Sequence, residues 1–443
     1  MANQRWIIVG AGSAGCVLAN RLSADPQRHV TLLDDGPDLV SGLVPPGIEG
    51  ASFFAALAEP GRSHPELLAT RVAGQAATEY QRGRGIGGSS AVNAMVALRG
   101  DDNLYQSWGW QDTATAWQQV QIPTEQPDPA EVGAVGLALL RADNRAGLAD
   151  LTRVAGRRVT SAEAYLWPVQ DRSNLLVRPD SPVDRVILNS SQVSGVRLED
   201  GTELSADRVV IAAGAIHSPV VLLRSGITTP GIGHGLQDHP AAVFTLKLSA
   251  GTVQDSNQLA IGSLLQTQIT THQVQLLAMS HLGPRPDTTG LGALMAALMN
   301  PVGTAGSVTI DRYGQPVVDF ALLNNDQDMR GLTSAVQLAL ATLEHAAFSD
   351  IVEQVFIDDI GTPASSLGTD EAIADWLLAR SGDYVHASST CAIGTVVDND
   401  GAVFGYDGLF VCDASLFPSI PHVNTHLPTT MLAERISTRL ANY

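Results

Sequence analysis

Apolar and polar positions change period along the chain, and the changes mark out its elements. The opening stretch RWIIVGAGSAGCVLANRLSADPQRHVTLLDDG carries an unbroken apolar run, Ile7 to Val9, and then Gly10-x-Gly12-x-x-Gly15. Val17, Leu18 and Leu22 continue at helical spacing, and a second apolar run, Val30 to Leu33, ends in Asp34. The pattern predicts strand, tight turn, helix, strand. Unbroken strands return twice. In ADRVVIAAGAIHSPVVLLRSGI (Ala206 to Ile227) the strand ends at Ala213-Gly214 and leads into a helix with Ser218-Pro219 in its first turn. In DGLFVCDAS (Asp407 to Ser415) it ends at Asp413-Ala414. From Val243 to about Asp319 strict alternation takes over, with Gly and Pro turns, and predicts antiparallel strands. Amphipathic helices follow over Asp326 to Phe348 and Asp370 to Ser381, whereas Asp112 to Asp150 reads as a loop or weak helix. The longest apolar run, LGALMAALM (Leu291 to Met299), is about half the ~20 residues that cross a bilayer, so it reads as a buried strand.

The first of these patterns carries chemistry. Glycines at 10, 12 and 15 allow a sharp turn and a close backbone approach to a pyrophosphate seated on a helix N-terminus, beside Ser13 and Ala14. Asp34, with Asp35 after it, stands where an acid accepts ribose hydroxyls. The motif indicates a dinucleotide without separating NAD from FAD. The distant return to a strand ending in Asp413 favours FAD, because that longer cofactor needs a second anchor, with Ala213, Gly214, Asp413 and Ala414 near it.

Composition narrows the partners. A net charge of −19 argues against nucleic acid and against anionic membrane surfaces. Lys247 is the only lysine. Cys16, Cys391 and Cys412 form neither a metal-ligand spacing nor a disulfide framework, so no metal site is expected. No leader precedes the first strand and no segment spans a membrane, which leads us to expect a reduced, cytoplasmic setting.

The last loop, VCDASLFPSIPHVNTHLPTTMLAERI, places His422, Asn424 and His426 just before a helix, where turn chemistry has no use for histidine. With it, RGRGIGGSSAVNAMVALRG (Arg82 to Gly100), GAIHSPVVLLRSGI (Gly214 to Ile227), GLQDHP (Gly235 to Pro240) and HASSTCAIGTVVD (His386 to Asp398) run in order along the chain. These blocks resemble the signatures of the glucose-methanol-choline (GMC) oxidoreductases. Thr228 stands where the family usually has glycine, and Gly235 where it has asparagine.

The resemblance implies an α/β fold: an FAD-binding Rossmann-like domain of the glutathione-reductase type over 1–240 and 384–443, with an inserted α+β substrate domain on an antiparallel sheet over 241–383. It implies His386 and His426 as the catalytic pair, His386 being the favoured base, with His422 lining a pocket or the surface and Asn424 fixing the loop. Arg82, Gly87, Gly88, Ser89, Asn93, Met95 and Leu427 would join the cofactor site, and Val183 would supply a backbone contact on the adenine side. Some members attach FAD covalently through a histidine where this chain has Val92, so dissociable FAD is expected. The implied activity is oxidation of an alcohol CH–OH group, or of a reduced redox cofactor such as mycofactocinol, with a possible separate electron acceptor. A hydroxynitrile lyase is the non-redox alternative. Only a short, polar segment, Gly109 to about Ala155, stands where the family carries a long cover, which predicts an open pocket and resembles compact mycofactocin-associated members.

Overall fold

The computed structural model describes residues 4–441 and Tyr443. Its first layer is a five-stranded parallel sheet in the order Leu409–Val411, Arg208–Ile211, Gln4–Val9, Arg28–Leu33, Leu175–Arg178. Trp6 to Val9 and Val209 to Ile211 are buried throughout, as strands covered on both faces must be. The first helix, Ser13–Leu22, packs against the last, His426–Leu440. Buried Glu434 of the last helix accepts hydrogen bonds from Arg21 Nε and Nη2, both at 2.7 Å, and from the Tyr165 hydroxyl at 2.8 Å.

The second layer is a six-stranded antiparallel sheet in the order Val352–Phe356, Ala241–Leu248, Leu291–Leu298, His272–Met279, Ser263–Ile269, Gly147–Leu148. Its side chains alternate as a pleat requires. Leu276, Ala278, Leu294 and Ala296 pack with Leu332, Ala335 and Ala339 of the helix Asp326–Leu343. Leu277, Met279 and Met295 belong instead to the cluster on the other face, with Met95, Val96 and Ile261. Leu291–Leu298 is apolar on both faces because it is covered on both. A smaller, mixed sheet pairs Leu68–Thr70 and Thr78–Glu79 with Pro316–Asp319, Gly306–Ile310 and His234–Leu236, the Leu68–Thr70 and Pro316–Asp319 strands running parallel, so both this sheet and the six-stranded one also take strands from before residue 241.

Three local expectations are sharpened or corrected. Residues 112–150, read as loop or weak helix, hold both: helices Thr113–Gln119 and Ala134–Ala142 form there with loop between and after them, the second helix firmer than expected in burying Val135, Ala138 and Leu139, whose spacing gives one helix face. Ser218 and Pro219 lie in the second turn of the helix Gly214–Arg224. The helix expected to run to Phe348 stops at Leu343, and a separate turn, Ala346–Ser349, follows. Among the described residues no helix is long and apolar enough to cross a membrane.

Candidate active site

A cavity of about 420 Å³ lies between the two layers. At its nucleotide end the strand Gln4–Val9 turns into the first helix, whose N-cap Gly12 offers no side chain to its leading N–H groups. Gly15 is the packing glycine, since a Cβ there would meet the Gly10 carbonyl oxygen at 1.8 Å. Gly88 takes φ +51° and lies against the same turn, where a Cβ would sit 2.7 Å from Gly12 Cα. The last helix likewise starts without a side-chain cap, at Thr425. Ser13, Ala14, Thr425 and His426 all line the cavity, so two unsatisfied helix N-termini open on it.

The structure brings most predicted cofactor residues to this cavity: Gly10, Gly12, Ser13, Ala14, Asp34, Asp35, Arg82, Gly88, Ser89, Asn93, Met95, Val183, Ala213, Gly214, Asp413, Ala414 and His426 line it. Gly15, Gly87 and Leu427 do not. Gly87 donates its N–H to Ala11 at 2.9 Å and supports the glycine turn from behind. Leu427 is buried in the parallel-sheet core. The two acids after the second strand divide the work. Asp34 is buried and accepts the N–H of Ala11 at 2.7 Å and of Gly36 at 3.0 Å, while Asp35 is the more exposed and pairs with Arg84 at 3.2 Å. Burial, reinforced by Asp35, pushes the Asp34 carboxyl up to about 6. Asp413 accepts from Gly214 N–H at 2.9 Å, from Ser415 N–H at 2.8 Å and from the Ser218 hydroxyl, so it ties the third strand-to-helix turn together.

His386 and His426 line the same cavity but have different partners. His426 Nδ1 lies 2.9 Å from Ser13 Oγ, and its Nε2 is buried without a partner among the described residues. Burial, with Arg158 adding to it, pushes the His426 imidazole down to about 4. His386 Nδ1 lies 2.9 Å from Nδ1 of His239, whose Nε2 lies 2.9 Å from the Pro421 carbonyl oxygen. Burial, then His239 and Arg82, hold His386 well below the ordinary imidazole value. Its backbone is fixed by Asp238, which accepts N–H groups from His239 (2.7 Å), Tyr384 (3.1 Å) and His386 (2.8 Å) and the Tyr80 hydroxyl (2.7 Å). Val385, between those anchors, takes φ +56°, a strained conformation for a β-branched residue, and its carbonyl accepts Arg82 Nη1 at 2.5 Å.

His239 and Arg158 are functional candidates that motif reading left without a role. His239 sat in view inside GLQDHP. Arg158 gave no motif signal. It is fully buried with no carboxylate partner among the described residues, donating instead to the carbonyls of Ile48 (3.0 Å) and Asn93 (2.6 Å) and to Asn93 Oδ1 (2.9 Å), and burial lowers it to about 9. Asn424 accepts from Gln275 Nε2 at 3.5 Å, while His422 faces a second cavity of about 480 Å³ with Asp101, Asp150 and Gln273.

This cradle fits FAD on its own terms: two uncapped helix N-termini, glycine surfaces where a side chain would collide, and an orphaned buried imidazole nitrogen facing the same space. Fold and site together define a flavin-dependent oxidoreductase of the two-layer, inserted-domain kind. The chain belongs to the GMC oxidoreductase family: two family models described as GMC oxidoreductase match residues 5–125 with 140–241, and 301–433. It is 29% identical to the 5-(hydroxymethyl)furfural oxidase of Methylovorus sp. (strain MP688), covering 98% of this chain and 97% of that one. It is 26% identical to the oxygen-dependent choline dehydrogenase of Photobacterium profundum, covering 97% and 91%. The crystal structure of pyridoxine 4-oxidase from Mesorbium loti superposes with a TM-score of 0.87 at 24% identity, covering 100% of both chains. The first comparison runs over 540 positions against 443 residues here, so that relative carries insertions this chain lacks.

Proposed function

We propose that this protein oxidises the CH–OH group of an uncharged, largely apolar alcohol, with His386 and His426 as the catalytic pair. The observation that carries the reading is the split lining of the cavity. Of the charged lining residues, Asp34 and Asp35 flank the glycine turn and Arg82 and Asp383 hold Val385 beside His386, whereas Phe53, Met95, Ile261, Leu277, Met279 and Met295 share one cluster of the lining and offer no charge. A quaternary ammonium or a sugar would find neither a carboxylate nor a run of polar partners among these six. Methionine and phenylalanine suit a flat or flexible apolar guest.

FAD, when bound, supplies the two-electron acceptor that takes the carbinol hydride. The chain supplies the rest. A neutral His386 accepts the hydroxyl proton and becomes imidazolium as the carbon is oxidised to the carbonyl level. His426 complements it. If the Ser13 hydroxyl donates to His426 Nδ1, the orphan Nε2 carries the proton and donates to the developing alkoxide. One imidazole accepts and the other donates.

Anaerobic mixing with 5-(hydroxymethyl)furfural, benzyl alcohol and choline tests the reading. Bleaching of the flavin by the first two and not by choline is expected. A flavin that no alcohol bleaches refutes it, and cyanide release from mandelonitrile would move the protein to the hydroxynitrile lyases. Repeating the screen in air, with artificial electron acceptors and with a reduced quinone-like cofactor, separates oxidase from dehydrogenase and tests the bulkier substrate class.

A further inference from the structure

We propose that His239 is a positioning residue that fixes His386 in the tautomer with a bare Nε2, so that the base presents its lone pair to the cavity. The inference rests on the alcohol-oxidation reading for its purpose, but its geometry stands alone. His239 is fully buried, with 0% of its surface exposed. Two backbone carbonyls, those of Pro421 and Met299, face the His239 ring, and the Pro421 oxygen lies 2.9 Å from Nε2; a carbonyl has only lone pairs to offer, so this bond places the proton on Nε2. A buried imidazole with no carboxylate partner stays neutral, and burial pushes His239 down to about 3. Its Nδ1 is therefore an acceptor. His386 Nδ1, 2.9 Å away, must be the donor. A neutral His386 that spends its one N–H there has an unprotonated Nε2, and this is the nitrogen left to face a substrate.

The direction of each bond follows from the Pro421 carbonyl on His239 Nε2. Without His239, either nitrogen of His386 could hold the proton, and a proton on Nε2 removes the base. Asp238 adds the geometric half: one carboxylate accepts the backbone N–H groups of both His239 and His386, so the two rings keep a fixed offset. This pair of groups, Asp238 and His239, gives the QDHP segment a role in the reaction without touching substrate.

Two substitutions separate relay from packing. Asn carries its oxygen near the position of imidazole Nδ1, so His239→Asn keeps the acceptor for His386 and loses the bond to Pro421. Gln carries its N–H₂ near the position of Nε2, so His239→Gln keeps the bond to Pro421 and loses the acceptor. We expect anaerobic flavin reduction by 5-(hydroxymethyl)furfural to fall about 10–100-fold in the Gln variant and about threefold or less in the Asn variant. Long-range ¹H–¹⁵N correlation spectra of histidine-labelled holoprotein, assigned with His386→Gln, should show His386 protonated at Nδ1 in the wild type and the Asn variant, and mixed in the Gln variant. A wild-type His386 protonated at Nε2, or a Gln variant as fast as the Asn variant, overturns the proposal. If no alcohol reduces the wild-type flavin the functional reading falls, and the spectra still decide the tautomer.

Discussion

Replacing Val385 by alanine and by glycine reads the strain beside His386, the proposed base, directly. Val385 takes φ +56° and is 39% exposed. Both variants lose the same partial burial, so comparing them cancels that contribution and isolates the backbone. Alanine in the left-handed region costs about 1–2 kcal/mol, a penalty glycine escapes. Glycine gives back about 0.4–1 kcal/mol through the greater freedom of its unfolded chain. The Gly variant should therefore be more stable than the Ala variant by about 1 kcal/mol, the reverse of their order at an ordinary site. In a chain of this size that is about 1–3 °C in the melting midpoint, followed by flavin fluorescence at matched FAD. Activity should run the other way, valine fastest and glycine slowest. The kink is held by Asp383 on the Val385 N–H at 2.9 Å, by Arg82 on its carbonyl and by Asp238 on both neighbours, and it aims the His386 ring. An Ala variant as stable as the Gly variant would refute the strain. A Gly variant that reduces flavin at the wild-type rate would show that the strain does nothing for the ring.

Glu434→Ala should cost about 3 kcal/mol in urea unfolding and loosen the last helix from the first, because it strands the buried Tyr165 hydroxyl and leaves the partly exposed Arg21 without its carboxylate. Gly88→Ala should yield protein with little bound flavin, measured by the ratio of flavin to protein absorbance, since its Cβ would collide with Gly12. Acid precipitation should release the FAD into the supernatant, Val92 offering no atom for a covalent link. His426, lowered by burial to about 4, has a folded value below its unfolded ~6.5, so its contribution is complete above pH 6.5 and is lost as pH falls toward 4. Stripped of FAD, the wild type should lose roughly 2–3 kcal/mol relative to His426→Gln between pH 7.5 and 4.5 in urea titrations; a difference independent of pH would show that the ring is not held neutral.

The parallel sheet, the glycine turn and the antiparallel strands after residue 241 are legible because each follows from a local period: unbroken apolar runs for strands covered twice, alternation for a pleat. The helix Ala134–Ala142 stays undecided between loop and weak helix in sequence because the segment around it is polar and proline-rich, and its single apolar face only has meaning against the six-stranded sheet. Asp34 illustrates a subtler limit. Its position after the second strand was read correctly, but sequence could not show that its carboxylate is already committed to Ala11 and Gly36, leaving Asp35 as the freer acid. Gly15 and Gly87 belong to the motif by spacing yet act from behind it, one by letting a helix approach and the other by bracing the turn.

The catalytic end was half legible for a different reason. Motif blocks are read one at a time, whereas the state of a histidine is set by what its other nitrogen touches. His239, His386 and Pro421 stand in three separate blocks, and only folding brings 239 within 2.9 Å of both the others. The resemblance therefore implies His386 as the base without saying which nitrogen would be basic. One proline carbonyl decides that, because a carbonyl cannot donate: its demand for a proton fixes His239, and His239 in turn fixes His386. The same logic explains why the group that accepts from His386 Nδ1 is itself a neutral ring, with the Asp238 carboxylate committed to backbone N–H groups instead. A carboxylate in place of His239 would also accept from Nδ1, but it would hold the resulting imidazolium more tightly and slow the return of its proton. A neutral acceptor in a dry setting keeps the base weak enough to be free at neutral pH and to release its proton after each oxidation.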